Sequence, residues 1–229
     1  MYIVKSSFNL YKEEFRKIWI LNGTITFPIL IIYYIVSAFY QNYFFINYIP
    51  LAGDLTSYSL LLIGLWIVQI PFIQLAKTEG ASNLNNLYKM FFGKLIPVYF
   101  AAVLYAFLVI VGTILLIIPG LILLVLFSFV PYALLIEQCS WKQSFIRSFQ
   151  VCKQRFFPLL GILFILGLIE YLVELIALLT SNLLTTNYMV LALIQAVINM
   201  FFVPYGAILM SKVYGEWTGI YDWDSIEIG

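Results

Sequence analysis

Apolar residues run through this chain in long unbroken blocks, not in the alternating pattern of half-buried strands. Six blocks stand out, near residues 18-40, 55-77, 95-118, 121-138, 157-180 and 187-212. At about 1.5 Å per residue, a helix of about 20 such residues crosses roughly 30 Å of hydrocarbon. A second pattern lies just before some of the blocks. Phe8, Tyr11 and Phe15 recur at three- and four-residue steps while Lys12, Glu13 and Arg16 take other faces. Phe145, Phe149 and Phe156 keep similar company with Arg147, Lys153 and Arg155. That spacing belongs to a helix lying in the headgroup region. The expectation is an all-α integral membrane fold: six transmembrane helices in three hairpins, each preceded by an amphipathic interfacial elbow helix.

The elbows carry a repeated motif. Residues 9-15 read NLYKEEF, 86-92 read NLYKMFF and 150-156 read QVCKQRF. All fit Asn or Gln, Leu or Val, any, Lys, any, any, Phe. A proline followed by an aromatic residue recurs downstream of each, at Pro71-Phe72, Pro131-Tyr132 and Pro204-Tyr205. Two marks recurring in one order predict a threefold internal repeat. Its units are approximately 1-78, 79-139 and 140-215 within one membrane domain, 1-229, with a short C-terminal tail, 216-229. Pro28, Pro71, Pro131 and Pro204 are expected to kink their helices and free carbonyls that neighbours must satisfy.

Composition agrees, with 63% hydrophobic and only 10% charged residues and a mean hydropathy of +1.00. Charge placement then sets an orientation. With six spans, all twelve Lys and Arg residues fall on one side, and the loops near 41-54, 119-120 and 181-186 hold none. The positive-inside rule makes that side, and both termini, cytoplasmic. The N-terminal run with Val36-Ser37-Ala38 loosely imitates a signal peptide, but the run is too long for one and cleavage is not expected. The bland reading of Lys12, Arg16, Lys89, Arg147, Lys153 and Arg155 is attraction to anionic lipid headgroups. The sharper one is a docking face for a cytosolic partner such as an ATPase.

The residue inventory narrows the chemistry. Without histidine, a Ser-His mechanism and the common zinc sites have no ligands or base. Cys139 and Cys152 fall on the side expected to be reducing, so they are read as unpaired. Asp54, Asp222 and Asp224 lie in a predicted outer loop and in the tail, not in a span. No Walker-type phosphate loop is present. No catalytic residue, metal or cofactor is therefore expected, and nothing points to nucleic acid.

What remains is polarity inside spans. Glu170 and Glu174 are four apart, on one face of the fifth block, and Gln195 and Asn199 are four apart on the sixth. Counted inward from the loop between them, the two pairs reach similar depths, which predicts a polar ladder. One reading makes it hairpin glue, at about 0.6 to 2 kcal/mol per hydrogen bond. The other makes it a cation or proton site, or a water-filled cavity accepting an amphiphile's basic head. The aromatic stretch from Tyr33 to Tyr48 reads mainly as an interfacial belt, with the loop at 41-54 as a candidate lid.

Between blocks three and four, Ile117-Ile118-Pro119-Gly120 suits a tight outer turn. Residues 112-161 contain this Ile-Pro-Gly turn, an apolar helix ending at Glu137, and a basic amphipathic segment from Ser144 to Arg155 with Ser148. They resemble the core of a broad bacterial and archaeal membrane family. It includes the membrane domain attached to some glycerophosphodiester phosphodiesterases and many stand-alone relatives. The resemblance implies a six-helix fold and a plasma-membrane location, but supplies no reaction. Three functions stay open: a transport-related or self-protection component handling a lipid or membrane-active amphiphile or peptide, a scaffold or assembly factor, and, least favoured, a lipid-modifying enzyme. The implied partners are membrane lipids and an ABC-type ATPase or another membrane protein.

Overall fold

The computed structural model describes residues 2-182 and 187-220. Most of the predicted third outer loop, and the tail with Asp222 and Asp224, lie outside the described residues. The described elements are α1 (Tyr2–Glu13), α2 (Phe15–Leu21), a π-helical turn (Asn22–Thr26), α3 (Phe27–Ile46), α4 (Pro50–Lys77) and α5 (Leu84–Leu115). They continue with α6 (Ile117–Leu126), α7 (Val130–Ile136), α8 (Trp141–Gln154), α9 (Phe156–Asn182) and α10 (Tyr188–Thr218). Six helical stretches are long and apolar enough to cross a membrane. The chain is a multi-pass, all-helical membrane protein.

α4 is central, packing against α3, α5, α7 and α10. Hairpins α3/α4 and α5/α6 are closely packed, whereas α9 meets α10 more sparsely and only touches α6 and α8. Small residues make the tight seams. The Ser37 hydroxyl donates to Ser57 Oγ at 2.8 Å across the first hairpin. In the second, a Cβ added at Gly120 would lie 2.8 Å from Thr113 Cα. This corrects the expected role of Pro119 and Gly120. The reversal is made by Leu116 alone, in extended conformation, and both residues sit in the first turn of α6, where Pro needs no intrahelical donor. Gly120 is required for helix approach, not for a positive φ.

The elbows differ from expectation in one unit. α1 ends just before Glu14 and α2 restarts at Phe15, while α8 ends before Arg155 and α9 restarts at Phe156. Both breaks fall on the same position of the motif, the residue before its Phe. The second copy has no break, and Lys89 lies within the continuous helix α5. Phe91 is buried at that position, whereas Glu14 and Arg155 are not. Residues 41-54 also differ: they complete the ends of α3 and α4 around a connection of 47-49, so they form no separate lid.

A proline and a helix break explain several long-range hydrogen bonds. Pro204 lies inside α10 and cannot donate to the Met200 carbonyl four residues earlier. The Asn22 side-chain amide, from the π-helical turn, supplies that donor at 2.6 Å. Pro131 opens α7 after a break at 127-129. Around this break the Tyr105 hydroxyl donates to Leu124 O at 3.1 Å and Ser148 Oγ donates to Leu126 O at 2.8 Å. Pro71 and Pro97 stay inside unbroken helices.

The basic residues gather at one end of the bundle. Lys17 Nζ donates to Gly80 O at 2.6 Å and pairs with Glu14 at 2.9 Å. Lys77 Nζ reaches Leu135 O at 3.3 Å and Ile136 O at 3.0 Å, capping α7. Lys212 Nζ donates to Ser6 Oγ. These contacts join the N-terminal elbow, the 78-83 loop and the ends of α7 and α10.

Candidate functional site

A cavity of about 630 Å³ lies among the spans, and all four predicted polar residues, Glu170, Glu174, Gln195 and Asn199, line it. α9 presents the glutamates because they are one helical turn apart. α10 presents the amides in the same way. Asn199 Nδ2 is placed 3.3 Å from Glu174 Oε1, 3.3 Å from the Tyr34 hydroxyl and 3.1 Å from Gln195 O, so its two N–H bonds are shared among three acceptors. The expected ladder therefore closes at one rung. Glu170 makes no hydrogen bond to the described residues and opens on the cavity. The physical reason is the spacing of α9, which from residue 160 to residue 180 has no buried residue.

Other spans complete the wall with residues that sequence reasoning missed. Gln69 from α4, Ser128 from the α6–α7 break and Tyr132 from α7 all line the cavity. The Tyr132 hydroxyl donates to Gln69 Oε1 at 3.3 Å. A signal was available: Gln69 stands two residues before the Pro71-Phe72 mark, and Tyr132 is the aromatic half of the second mark. Aromatic faces are plentiful, with Trp66 stacked on Tyr105 at a centroid distance of 4.3 Å and both residues lining the space. No Lys or Arg is among the described lining residues. Two carboxyl groups, three carboxamides and several aromatic rings make a wall that accepts hydrogen bonds and attracts cations. Pro71, Pro131 and Pro204 are outside the described wall, though each lies close in sequence to a lining residue.

A second polar cluster forms at the basic end. Arg147 Nε donates to Glu137 Oε1 at 3.0 Å, and the Tyr214 hydroxyl donates to the same oxygen. The Cys139 thiol lies 3.6 Å from Glu137 Oε2. Glu137 raises the already high pKa of Arg147 through that hydrogen bond. Burial, and then the Glu137 charge, push the Cys139 thiol above its usual value. Cys152 is buried, and desolvation raises its pKa to about 11. Thus Arg147 does not project freely as expected of an elbow cation; it ties α8 to the end of α7. Arg155 stacks over Trp217 at 5.3 Å and Lys153 over Phe149 at 5.9 Å. Lys12, Arg16 and Lys89 are exposed. Among the described residues no group of three His, Cys, Asp or Glu could hold a metal.

Comparison with protein-family models, curated proteins and solved structures finds no match to this chain. The polar cavity and the six-span fold are therefore the basis on which its function is argued.

Proposed function

We propose that this protein is a non-enzymatic component of a prokaryotic plasma membrane that accepts a membrane-active amphiphile, a lipid or peptide with a cationic head, into the cavity beside α9. The basic end, with both termini, faces the cytoplasm in this reading, in keeping with the positive-inside rule. The observation that carries the proposal is a space of about 630 Å³ among the membrane-length helices whose wall includes Glu170 and Glu174 and no described Lys or Arg. A carboxylate held in a span costs about 2.5 to 3.5 kcal/mol on insertion scales, and a cationic ligand offsets that cost. The chain would move or exclude such a molecule, alone or with an ABC-type ATPase.

The test is binding of a cationic amphipathic peptide to the purified protein in nonionic micelles, with its acidic counterpart as control. Wild type is expected to bind the cationic peptide selectively. The double variant Glu170→Gln, Glu174→Gln should lose that selectivity while keeping its elution volume and helical content. Equal binding by the folded double variant would sink the proposal. A scaffold role gains some support from the unburied outer face of α9, where Phe164, Leu168 and Tyr171 are exposed. Copurification of a stable complex without an ATPase would favour it.

A further inference from the structure

A different groove lies at the basic end. It has a volume of about 690 Å³ and lies between α5, α7 and the start of α8. Its polar mouth holds Lys94, Ser140 and Trp141, and its wall continues along α5 past Phe100 to Leu104, with Leu134 opposite. From Lys94 to Leu104 is about 15 Å along a helix at 1.5 Å per residue. The groove therefore changes from cationic and hydrogen-bonding to wholly apolar over the length of the upper part of an acyl chain.

Charge decides the occupant. Lys94 is near enough to Lys77 for their like charges to interact. Lys77 is held by the carbonyls of α7, whereas Lys94 has neither an ion pair nor a hydrogen bond among the described residues. A half-buried lysine that lies near a like charge and has no carboxylate of its own suits an external anion. Phe100 is 66% exposed and Trp141 50% exposed, so the groove opens to the side where lipid lies, and Trp141 suits the interface.

We infer that this groove binds one anionic phospholipid, with the phosphate at Lys94 and an acyl chain along Phe100 and Leu104 against Leu134. The apolar floor selects a lipid over free phosphate. The site is separate from the glutamate cavity and stands whether or not that cavity binds an amphiphile.

The experiment uses delipidated full-length protein in nonionic micelles, titrated with phosphatidylglycerol or phosphatidylcholine brominated near the glycerol end of the chains. Bromine quenches nearby tryptophan, and subtracting the Trp141→Phe protein isolates the emission of Trp141. Half-quenching is expected at about fivefold lower mole fraction of phosphatidylglycerol than of phosphatidylcholine, the worth of one interfacial cation. Lys94→Gln should abolish the preference, and Lys94→Arg should retain it. Lys5→Gln, removing an exposed cation on α1, should leave it unchanged. Equal quenching by the two lipids in wild type, or an equal loss with Lys5→Gln, would overturn the assignment. A Lys94→Gln protein with native elution and an intact preference would overturn it as well.

Discussion

Asn22 and Pro204 make a sharp test of how this bundle is held together. Asn22 is 1% exposed and its amide donates to Met200 O at 2.6 Å, a carbonyl that an ordinary residue at 204 would itself satisfy. Deleting the side chain leaves the carbonyl without a donor, at about 1 to 3 kcal/mol in a soluble interior. Within a membrane bundle, measured interhelical hydrogen bonds average about 0.6 and reach about 1.7 kcal/mol. The single variant understates the bond, because the Asn22 Oδ1 atom is buried without a partner and its removal is favourable.

A double-mutant cycle cancels that offset, since Oδ1 is lost in both backgrounds. Pro204→Ala restores an N–H that can close the α10 bond to Met200 O. Asn22→Ala is then expected to destabilise the wild-type background by about 1 kcal/mol more than the Pro204→Ala background. The four proteins would be unfolded by SDS titration in mixed micelles, followed by circular dichroism. Losses equal within about 0.3 kcal/mol in the two backgrounds would refute the claim that Asn22 serves the proline.

Further outcomes follow from the same geometry. Gly120→Ala should destabilise by about 1 to 3 kcal/mol, and Thr113→Ala should rescue it only in part, because the added Cβ meets Thr113 Oγ1 and also the backbone Cα and N of Thr113, both at 2.8 Å; thermal unfolding of the two proteins decides. Glu137→Gln leaves a neutral carbonyl oxygen where Arg147 and Tyr214 now meet a carboxylate and should cost about 1 kcal/mol by SDS titration. The same substitution should move the pH midpoint of maleimide labelling at Cys139 downward, since it removes a charge that holds the thiol protonated; an unmoved midpoint counts against this. Cys152, with a pKa raised to about 11, should stay unlabelled at pH 8 in the folded Cys139→Ala protein, and labelling at the rate of a free thiol would contradict its burial.

The spans were readable in sequence because each is set by its own length and apolarity, which need no knowledge of neighbours. All six predicted blocks overlap a helix of the structure. Glu170, Glu174, Gln195 and Asn199 were readable for a similar reason: polar residues in apolar blocks are conspicuous, and two hairpin helices must be near each other. What depends on which helices meet was not readable. Gln69 and Tyr132 come together only because α4 packs on α7. Arg147 looks like any elbow cation until α8 folds back on Glu137. The pair Pro119-Gly120 has the residues of a turn, yet Leu116 turns the chain, and the glycine is consumed by contact with Thr113. The second elbow failed for a local reason, since polar-apolar periodicity locates an amphipathic stretch without saying whether the helix stops at its end.

Two glycines on the cavity wall give a last test of the cavity. Gly53, Gly112 and Gly120 have neighbours at 3.2 Å or less from where a Cβ would stand. Those glycines are seams of the first two hairpins. Gly167 and Gly206, on the two helices of the third hairpin, line the cavity and have nothing within 4 Å of such a Cβ. They are not seams, and a side chain added at either would meet no packed neighbour. Gly167→Leu should therefore be tolerated: helix propensity favours it by about 1 kcal/mol, and its side chain enters the cavity instead of a neighbour. The SDS midpoint should stay or rise while binding of the cationic peptide falls. A loss of stability like that of Gly120→Ala would mean that α9 closes onto α10 in the membrane and that no cavity exists there. Retained binding in a stable Gly167→Leu protein would instead place the ligand elsewhere.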